Sequence, residues 1–444
     1  MAETKIIALD DDPTGSQTVH SCLLLTRWDV PTLLEGLRDT APLFFVLTNT
    51  RSMGSEQAAA VTREVCRNLK QALDTLAREG CEINPILVSR SDSTLRGHYP
   101  VETDVIAEEL GPFDAHFLIP AFFEGGRITR DSTHYLVVDG QEVPVHQTEF
   151  ARDSVFGFST AYLPDYVEEK TGGEIKAEQV ERFLLTDVRG DSLARLMTLQ
   201  GNACCVVDAE TQSDLNHFAD QLKLAASRGK RFLFRSAASL LTALAKLPPQ
   251  PVPPEEMSRY VRDGRAGAVI VGSHVKKTTA QLEQLLALPS VVPIEVDVER
   301  IGEQWGSLLD EVTKQAAKAH AEDRHAVIFT SRVEKTFPDQ QQRLAFGEKV
   351  SRFLMAVVQG LPASLGFLIS KGGITSNDVL STGLALRTAR VLGQILPGCS
   401  VVRCPREHPR YPDMPVVIFP GNVGDDQALA TALQRLAAPR KISA

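Results

Sequence analysis

The sequence lacks most of the features that would commit a chain to a membrane, a disulfide framework or a metal. No apolar run in its 444 residues approaches the roughly 20 needed to cross a bilayer. The seven cysteines (Cys22, Cys66, Cys81, Cys204, Cys205, Cys399 and Cys404) form no C-x-x-C pair. Their odd number and scatter fit reduced thiols of a cytoplasmic protein rather than a disulfide scaffold. His20, His98, His134 and His146 are too dispersed for a metal cluster, and no zinc-ligand spacing occurs, so no protein-bound metal centre is expected. Positive charge is not in excess: 47 Lys and Arg stand against 56 Asp and Glu, a net charge of −9. That balance argues against non-specific nucleic-acid binding but leaves room for a locally basic site. The opening MAETKIIALDDD has no basic segment followed by an apolar stretch, so no signal peptide is expected. Neither the P-loop pattern nor the G-x-G-x-x-G dinucleotide pattern is present.

What the chain does have is alternation. KIIALD, LFFVLTNT, INPILVSR, HFLIPAF and CCVVDA are short apolar runs with little two-residue periodicity. Such runs fit parallel strands buried on both faces. Between them lie amphipathic stretches such as residues 55–79, followed by Gly80 as a helix stop. PPQPVPP at 248–254 holds five prolines in seven residues and reads as a linker. After it come GAVIVGSH, VVPIEVDV, HAVIFTS, LGFLISKGG, CSVVRCP and MPVVIFPGN. The expected architecture is therefore α/β, with two domains built on mainly parallel sheets. The domain bounds are read as 1–247, a linker at 248–264, and 265–444. Residues 127–180 read as loop and irregular structure.

Ligands of parallel sheets sit beyond the carboxyl ends of the strands, so the residues after each apolar run are the candidates. In the first half these are DDDPTG (10–15), TNTRSMG (48–54), SRSDSTLRGH (89–98) and PAFFEGGR (120–127). Acids mixed with arginines suit a polyhydroxy acid: Arg forks onto a carboxylate, and Asp accepts from hydroxyls or serves as a base. Each loop also has a plainer reading. Asp10–Asp12 could be a turn or helix cap, Arg51 a solvated loop residue, and Arg90, Asp92 and Arg96 a structural ion-pair network. In the second half the strand ends are VGSHVKKTTAQL (271–282), SKGGITSNDVL (370–380) and FPGNVGDDQAL (419–429). Small glycine turns ahead of helices let backbone N–H groups approach phosphate oxygens, with Gly372, Gly373, Thr375 and Ser376 as a cradle and Ser273 as a hydroxyl donor.

Two readings of the aspartates compete. Asp10-x-Asp12-x-Thr14 fits the opening of a haloacid-dehalogenase-type phosphatase, with Thr48 as its second hydroxyl and GDD at 424–426 as its late acidic motif. That pair lies over 400 residues away, beyond the proline linker. The second reading accounts for more of the chain. DDPTG (11–15), TNTRS (48–52), SRSDSTLRGH (89–98), VGS (271–273), GGITS (372–376) and GNVGDD (421–426) resemble the four-carbon acid sugar kinase family of 3-oxo-tetronate, D-threonate and D-erythronate kinases.

The resemblance implies a sugar-acid domain, then an ATP domain, with the active site in the cleft between them. It implies that Asp11, Asp12, Arg51, Arg90, Ser91, Asp92 and Ser93 hold the substrate. Ser273, Gly372, Gly373, Ile374, Thr375, Gly421, Asn422 and Gly424 would hold ATP. Two motifs depart from the family: GGIT stands for GGET, and FPGNVG for KSGNFG, which marks a divergent subgroup. The missing lysine would be replaced by Lys371 or by Mg²⁺. The expected reaction is transfer of phosphate from Mg²⁺-ATP to a hydroxyl of a small sugar acid whose carboxylate lies near Arg51 or Arg90. Either Asp12 or Asp92 would take the proton. The expected partners are the sugar acid and ATP, with room for a homo-oligomer. A third reading is a protein that binds these ligands without catalysis.

Overall fold

The computed structural model describes residues 3–138, 140–273, 275–332 and 340–438. Residues 1, 2 and 439–444, inside the expected domain bounds, lie outside the described residues. The chain divides into two compact units, Met1–Pro248 and Pro249–Ala444. The division falls inside the proline-rich stretch. Residues just beyond it are already packed, since Met257 and Val261 are buried in the second unit's core.

In the first unit the described strands are β1 (Glu3–Asp10), β2 (Leu23–Leu25), β3 (Leu43–Leu47), β4 (Ile83–Arg90), β5 (Ala115–Ile119), β6 (Arg127–Arg130), β7 (Thr133–Val138), β8 (Gln141–Pro144), β9 (Glu181–Phe183), β10 (Ala203–Val207) and β11 (Phe232–Ser236). Eight of them form a parallel sheet in the order β2-β3-β1-β4-β11-β5-β10-β9. The central strands are apolar on both faces because helices cover both; β3 and β11 are buried at every position. The long helix Ser55–Arg78 packs Ala58, Thr62, Val65, Leu69, Ala72 and Leu76 inward at three- and four-residue spacing. Gly80, in the left-handed region at φ +83°, follows its end.

Residues 127–180 are more regular than expected. β6, β7 and β8 form a separate antiparallel sheet, and Leu163–Lys170 is a helix. Burial along β7 alternates, as in a sheet covered on one face only. Each of these strands is only four to six residues long, so too little of the alternation shows for sequence periodicity to register.

The second unit's described strands are β12 (Ala268–Val271), β13 (Val291–Val296), β14 (His325–Thr330), β15 (Leu368–Lys371), β16 (Thr388–Leu396), β17 (Cys399–Arg403) and β18 (Pro415–Phe419). They run in the order β13-β14-β12-β15-β18-β17-β16. The first five are mutually parallel; β17 runs antiparallel to both of its neighbours. A hairpin joins β16 to β17, which is what a short turn between adjacent strands requires. Among the described residues no helix is long and apolar enough to cross a membrane. The seven cysteines are free, and Cys81 alone among them is exposed.

Candidate active site

β1, β3, β4 and β11 are neighbours in the first sheet, and their carboxyl ends bring the expected acidic and basic residues together. Arg51 donates from Nε and Nη2 to Asp11 at 3.1 and 2.5 Å. Its Nη1 lies 3.6 Å from Asp12 and 3.8 Å from Asp92. Asp92 in turn accepts from Arg96 Nε at 2.9 Å and from the Thr94 hydroxyl. Burial alone would raise the Asp92 carboxyl, but the Arg51 and Arg96 guanidiniums outweigh it and hold it well below the usual carboxylate range. Asp12 accepts from the Thr14 amide and hydroxyl on Oδ1, at 2.9 and 2.5 Å. Its side chain is the more exposed of the two, 21% against 13% for Asp92.

Under this cluster lies a second polar layer. Glu102 is buried; it accepts from the Thr50 hydroxyl at 2.5 Å and faces Arg235 Nη1 at 3.5 Å. Burial first, and then the Asp11 charge, push its carboxyl up to about 7. Arg235 also donates to the Arg96 carbonyl at 3.1 Å. His98 Nε2–H lies 3.1 and 3.0 Å from the Thr50 and Met53 carbonyls, fixing the turn that carries Arg51. The buried His134 donates from Nε2 to the Ser93 carbonyl at 2.8 Å and accepts from Thr129 on Nδ1. Burial lowers it to about 4, so it is a neutral strut. The antiparallel segment contributes Phe150, whose ring lies 4.9 Å from the Arg96 guanidinium, and Asp153, 3.8 Å from Arg96.

The plainer ion-pair reading holds for Asp92 and Arg96, while Arg90 stays outside that pair. Arg90 is register partner to Asp10 on adjacent strands, is buried, and donates from Nη1 to the Ser91 carbonyl at 2.6 Å. Ser91 and Ser93 are buried beside it. The phosphatase reading fails on Asp10. That carboxylate is fully buried without a hydrogen-bond partner, pushed up by burial, and packed so close to Gly15 that a Cβ there would collide with both of its oxygens. It cannot meet a phosphate, and residues 424–426 belong to the other unit.

In the second unit, β12, β15 and β18 lie side by side, with Val271 level with Lys371 and Lys371 level with Phe419. All three glycine turns therefore leave the sheet at the same height. They are tied together: Gly372 N–H donates to the Phe419 carbonyl at 2.8 Å, and Thr278 reaches both Ser273 and the Gly421 carbonyl, at 3.4 and 3.3 Å. Gly372 adopts φ +111°, and a Cβ on Gly272 would lie 2.6 Å from the Thr375 hydroxyl, so both positions demand glycine. Gly421 has open space beside it and Gly424 is exposed, as are Asn422 and Ile374, the last at 69%. Gly373 is half-buried. Hydroxyls and small residues thus line these turns, and among the described residues nothing beyond its chain neighbours lies within 4 Å of where a Gly421 Cβ would stand.

Lys371 does not replace the missing family lysine on the surface. It is fully buried, donates to the Pro420 and Gly421 carbonyls at 2.6 and 3.1 Å, and lies 4.4 Å from the Phe419 ring centre. Two nearer cations went unnoticed in the sequence. Arg332 donates to the Ser273 carbonyl and the Thr279 hydroxyl at 2.7 and 2.5 Å, and Lys277 donates to the Gly424 carbonyl at 3.0 Å. Lys277 stood in the VKK run after β12; Arg332 follows β14, a strand end that has no glycine to draw attention to it.

Two family models match the chain, a sugar-binding N-terminal domain over residues 6–244 and a nucleotide-binding C-terminal domain over residues 268–429. The chain belongs to the four-carbon acid sugar kinase family. A D-erythronate kinase of Heliobacterium modesticaldum is 23% identical over 468 residues, covering 98% of this chain and 97% of that protein. Among solved structures, a Salmonella typhimurium LT2 protein is similar with TM-score 0.67 at 19% identity, covering 96% and 98% of the two chains. A Haemophilus influenzae protein follows with TM-score 0.63 at 19% identity, covering 97% and 100%. These two likenesses extend the shared fold over both units. Family membership assigns the acid and arginine loops to the sugar-binding half and the glycine turns to the nucleotide-binding half.

Proposed function

We propose that the protein is an ATP-dependent kinase that phosphorylates a hydroxyl of a four-carbon sugar acid, a tetronate or its 3-oxo form. The observation that carries this reading is the first unit's cluster, in which Asp11, Asp12, Asp92, Arg51 and Arg96 converge at the carboxyl ends of neighbouring strands. Such a set can orient several hydroxyls at once. It is supported by the relative named as a D-erythronate kinase.

Asp12 is the general base in this reading. Asp92 is held ionised by two arginines and has Oδ2 committed to Arg96 and Thr94, which leaves it a weak proton acceptor. Asp12 keeps Oδ2 free of hydrogen bonds, with Arg51 at 3.6 Å to stabilise its charge. Asp12 Oδ2 takes the hydroxyl proton, the hydroxyl oxygen forms the new bond to the terminal phosphorus, and ADP leaves. In the second unit, Ser273, Gly372, Thr375 and Gly421 receive the triphosphate, with Lys277 and Arg332 beside them. Mg²⁺ bound with ATP supplies neutralisation of the charge spreading over the phosphoryl oxygens.

The test is ADP release over four- to six-carbon aldonates and their oxo forms. Turnover with a tetronate, and a loss of about 10²–10⁴-fold in kcat in Asp12→Asn with ATP affinity retained, is the expected result. No ADP with any sugar acid would leave a binding protein instead. Collapse of ATP affinity in Asp12→Asn would reverse the assignment of the halves.

A further inference from the structure

The arginines of the first site differ in what they already hold. Arg51 is forked onto Asp11, Arg96 bonds Asp92, and Arg235 faces Glu102. Arg90 is buried with its Nη1 on a backbone carbonyl. Arg51, one of the two expected carboxylate partners, is therefore engaged before any acid arrives. Arg90, the other, also has an unpartnered Nε but is buried in the core, where it acts through space on the buried Asp10.

Arg127 is different. It opens β6 at the end of a tight loop closed by reciprocal backbone bonds between Phe122 and Arg127, at 3.1 and 2.9 Å. Its guanidinium lies 5.9 Å from the Phe122 ring centre and donates from Nη1 to the Gly125 carbonyl. A Cβ on Gly125 would collide with that guanidinium and with the Phe122 ring. The side chain is thus held in one place by glycine, carbonyl and ring together. Its Nε is buried with no hydrogen-bond partner, and among the described residues it makes no ion pair. Asp92, Arg96 and Glu149 are the charged groups that act on it through space. Burial is the largest effect on it and outweighs the pull of Asp92 and Glu149, neither of which is in ion-pair contact with it. A cation held this way is costly, and an anionic ligand group in contact with it lowers the cost.

We propose that Arg127 receives the carboxylate of the sugar acid, its guanidinium being a half-buried cation without an ion pair among the described residues, beside the Asp92–Arg96 pair and more open to a ligand than the buried Arg90. This rests on the sugar-acid reading of the site and adds to it. The acid end lies at the 120–127 loop, and the hydroxyl end lies at Asp12. Arg127 then sets specificity for acids over the corresponding alcohols.

The experiment measures binding of D-erythronate and of erythritol, the same four carbons without a carboxylate, to the full chain by calorimetry. ADP release is followed in parallel. The wild type is expected to prefer erythronate. Arg127→Met should weaken erythronate by about 10- to 100-fold and leave erythritol unchanged, because a charge-assisted hydrogen bond is lost only for the acid. Arg127→Lys keeps the charge without the fork, and should fall between them. A variant that retains the wild-type preference overturns the proposal, as does a wild type without any preference. If circular dichroism shows Arg127→Met unfolded, Arg127→Lys carries the test, and unaltered erythronate affinity there overturns it. The expected binding pattern without ADP release would sink the kinase reading and leave Arg127 in place.

Discussion

Arg51 and Asp11 form a two-point pair, Nε and Nη2 on the two carboxylate oxygens, with the Asp11 side chain 3% exposed. Asp11 has no water to fall back on, so the guanidinium is part of what keeps the loop folded as well as part of the site. Arg51→Ala should therefore destabilise the first unit by about 3–5 kcal/mol, the range for breaking a buried pair. Trp28 lies in the first unit and Trp305 in the second. A Trp305→Phe background thus isolates the first unit's fluorescence transition in urea. A double-mutant cycle with Asp11→Ala should give a coupling well above the ~0–1 kcal/mol of an exposed pair. Additive losses would reduce the pair to an incidental contact.

The same economy explains Asp10 and Gly15. A buried carboxyl group without a hydrogen bond is costly, and burial pushes Asp10 toward its neutral form; Gly15 has no side chain to collide with it. Gly15→Ala should cost about 1–3 kcal/mol by overpacking. Placing it in an Asp10→Gly background should recover most of that cost. Equal penalties in both backgrounds, from the same urea transition, would separate the two residues.

Much of this was legible before the structure. Buried parallel strands announce themselves as unbroken apolar runs, so β1, β3, β4, β12, β14, β15 and β18 were visible, and with them the loops they carry. β2, β9, β11 and β16 were not foreseen. β2 and β9 have three residues each, and β16 carries Arg390, Gly393 and Gln394 in an antiparallel pairing with bulges. β11 reads FLFRS, an apolar run of three cut off by Arg235 and Ser236, and Arg235 was hidden with it. Nor can a sequence tell which of several arginines is already paired. Arg51 and Arg90 stand in conspicuous motifs, yet their partners Asp11 and the Ser91 carbonyl become apparent only when the chain is folded.

Glu102 makes stability depend on pH. Its carboxyl lies at about 7 in the fold against an ordinary 4.5. Below pH 4.5 it is protonated folded or unfolded. Between 4.5 and 7 the folded state keeps the proton and the unfolded state releases it, so stability falls as pH rises through this window. Asp208, pushed up to about 6, adds to this slope, and His134, lowered to about 4, opposes it. The informative quantity is therefore the difference between wild type and Glu102→Gln. That difference should shift in favour of the variant from pH 4.5 to 7 and level off above. A constant difference across the window would remove Glu102 from the account.

Lys371 gives the second unit the opposite slope. Burial pushes its ammonium down to about 7 from 10.5, against a weaker opposing pull from Cys399. Below pH 7 it is charged in both states and the fold bears the full cost of burying that charge. Above pH 7 the folded state has released the proton while the unfolded state retains it, so stability rises with pH toward 10.5. Cys399, pushed up to about 12 from 9.0, works the other way above pH 9, which leaves pH 7–9 as the clean interval. In a Trp28→Phe background, Trp305 fluorescence should report a urea midpoint that climbs over that interval. Lys371→Met should flatten the climb, because methionine fills the space over Phe419 without a charge to release. It should also weaken ATP binding, since the Pro420 and Gly421 carbonyls lose the group that holds their turn. A variant with a flattened profile and unaltered ATP affinity would make Lys371 a packing residue and detach the last glycine turn from the nucleotide.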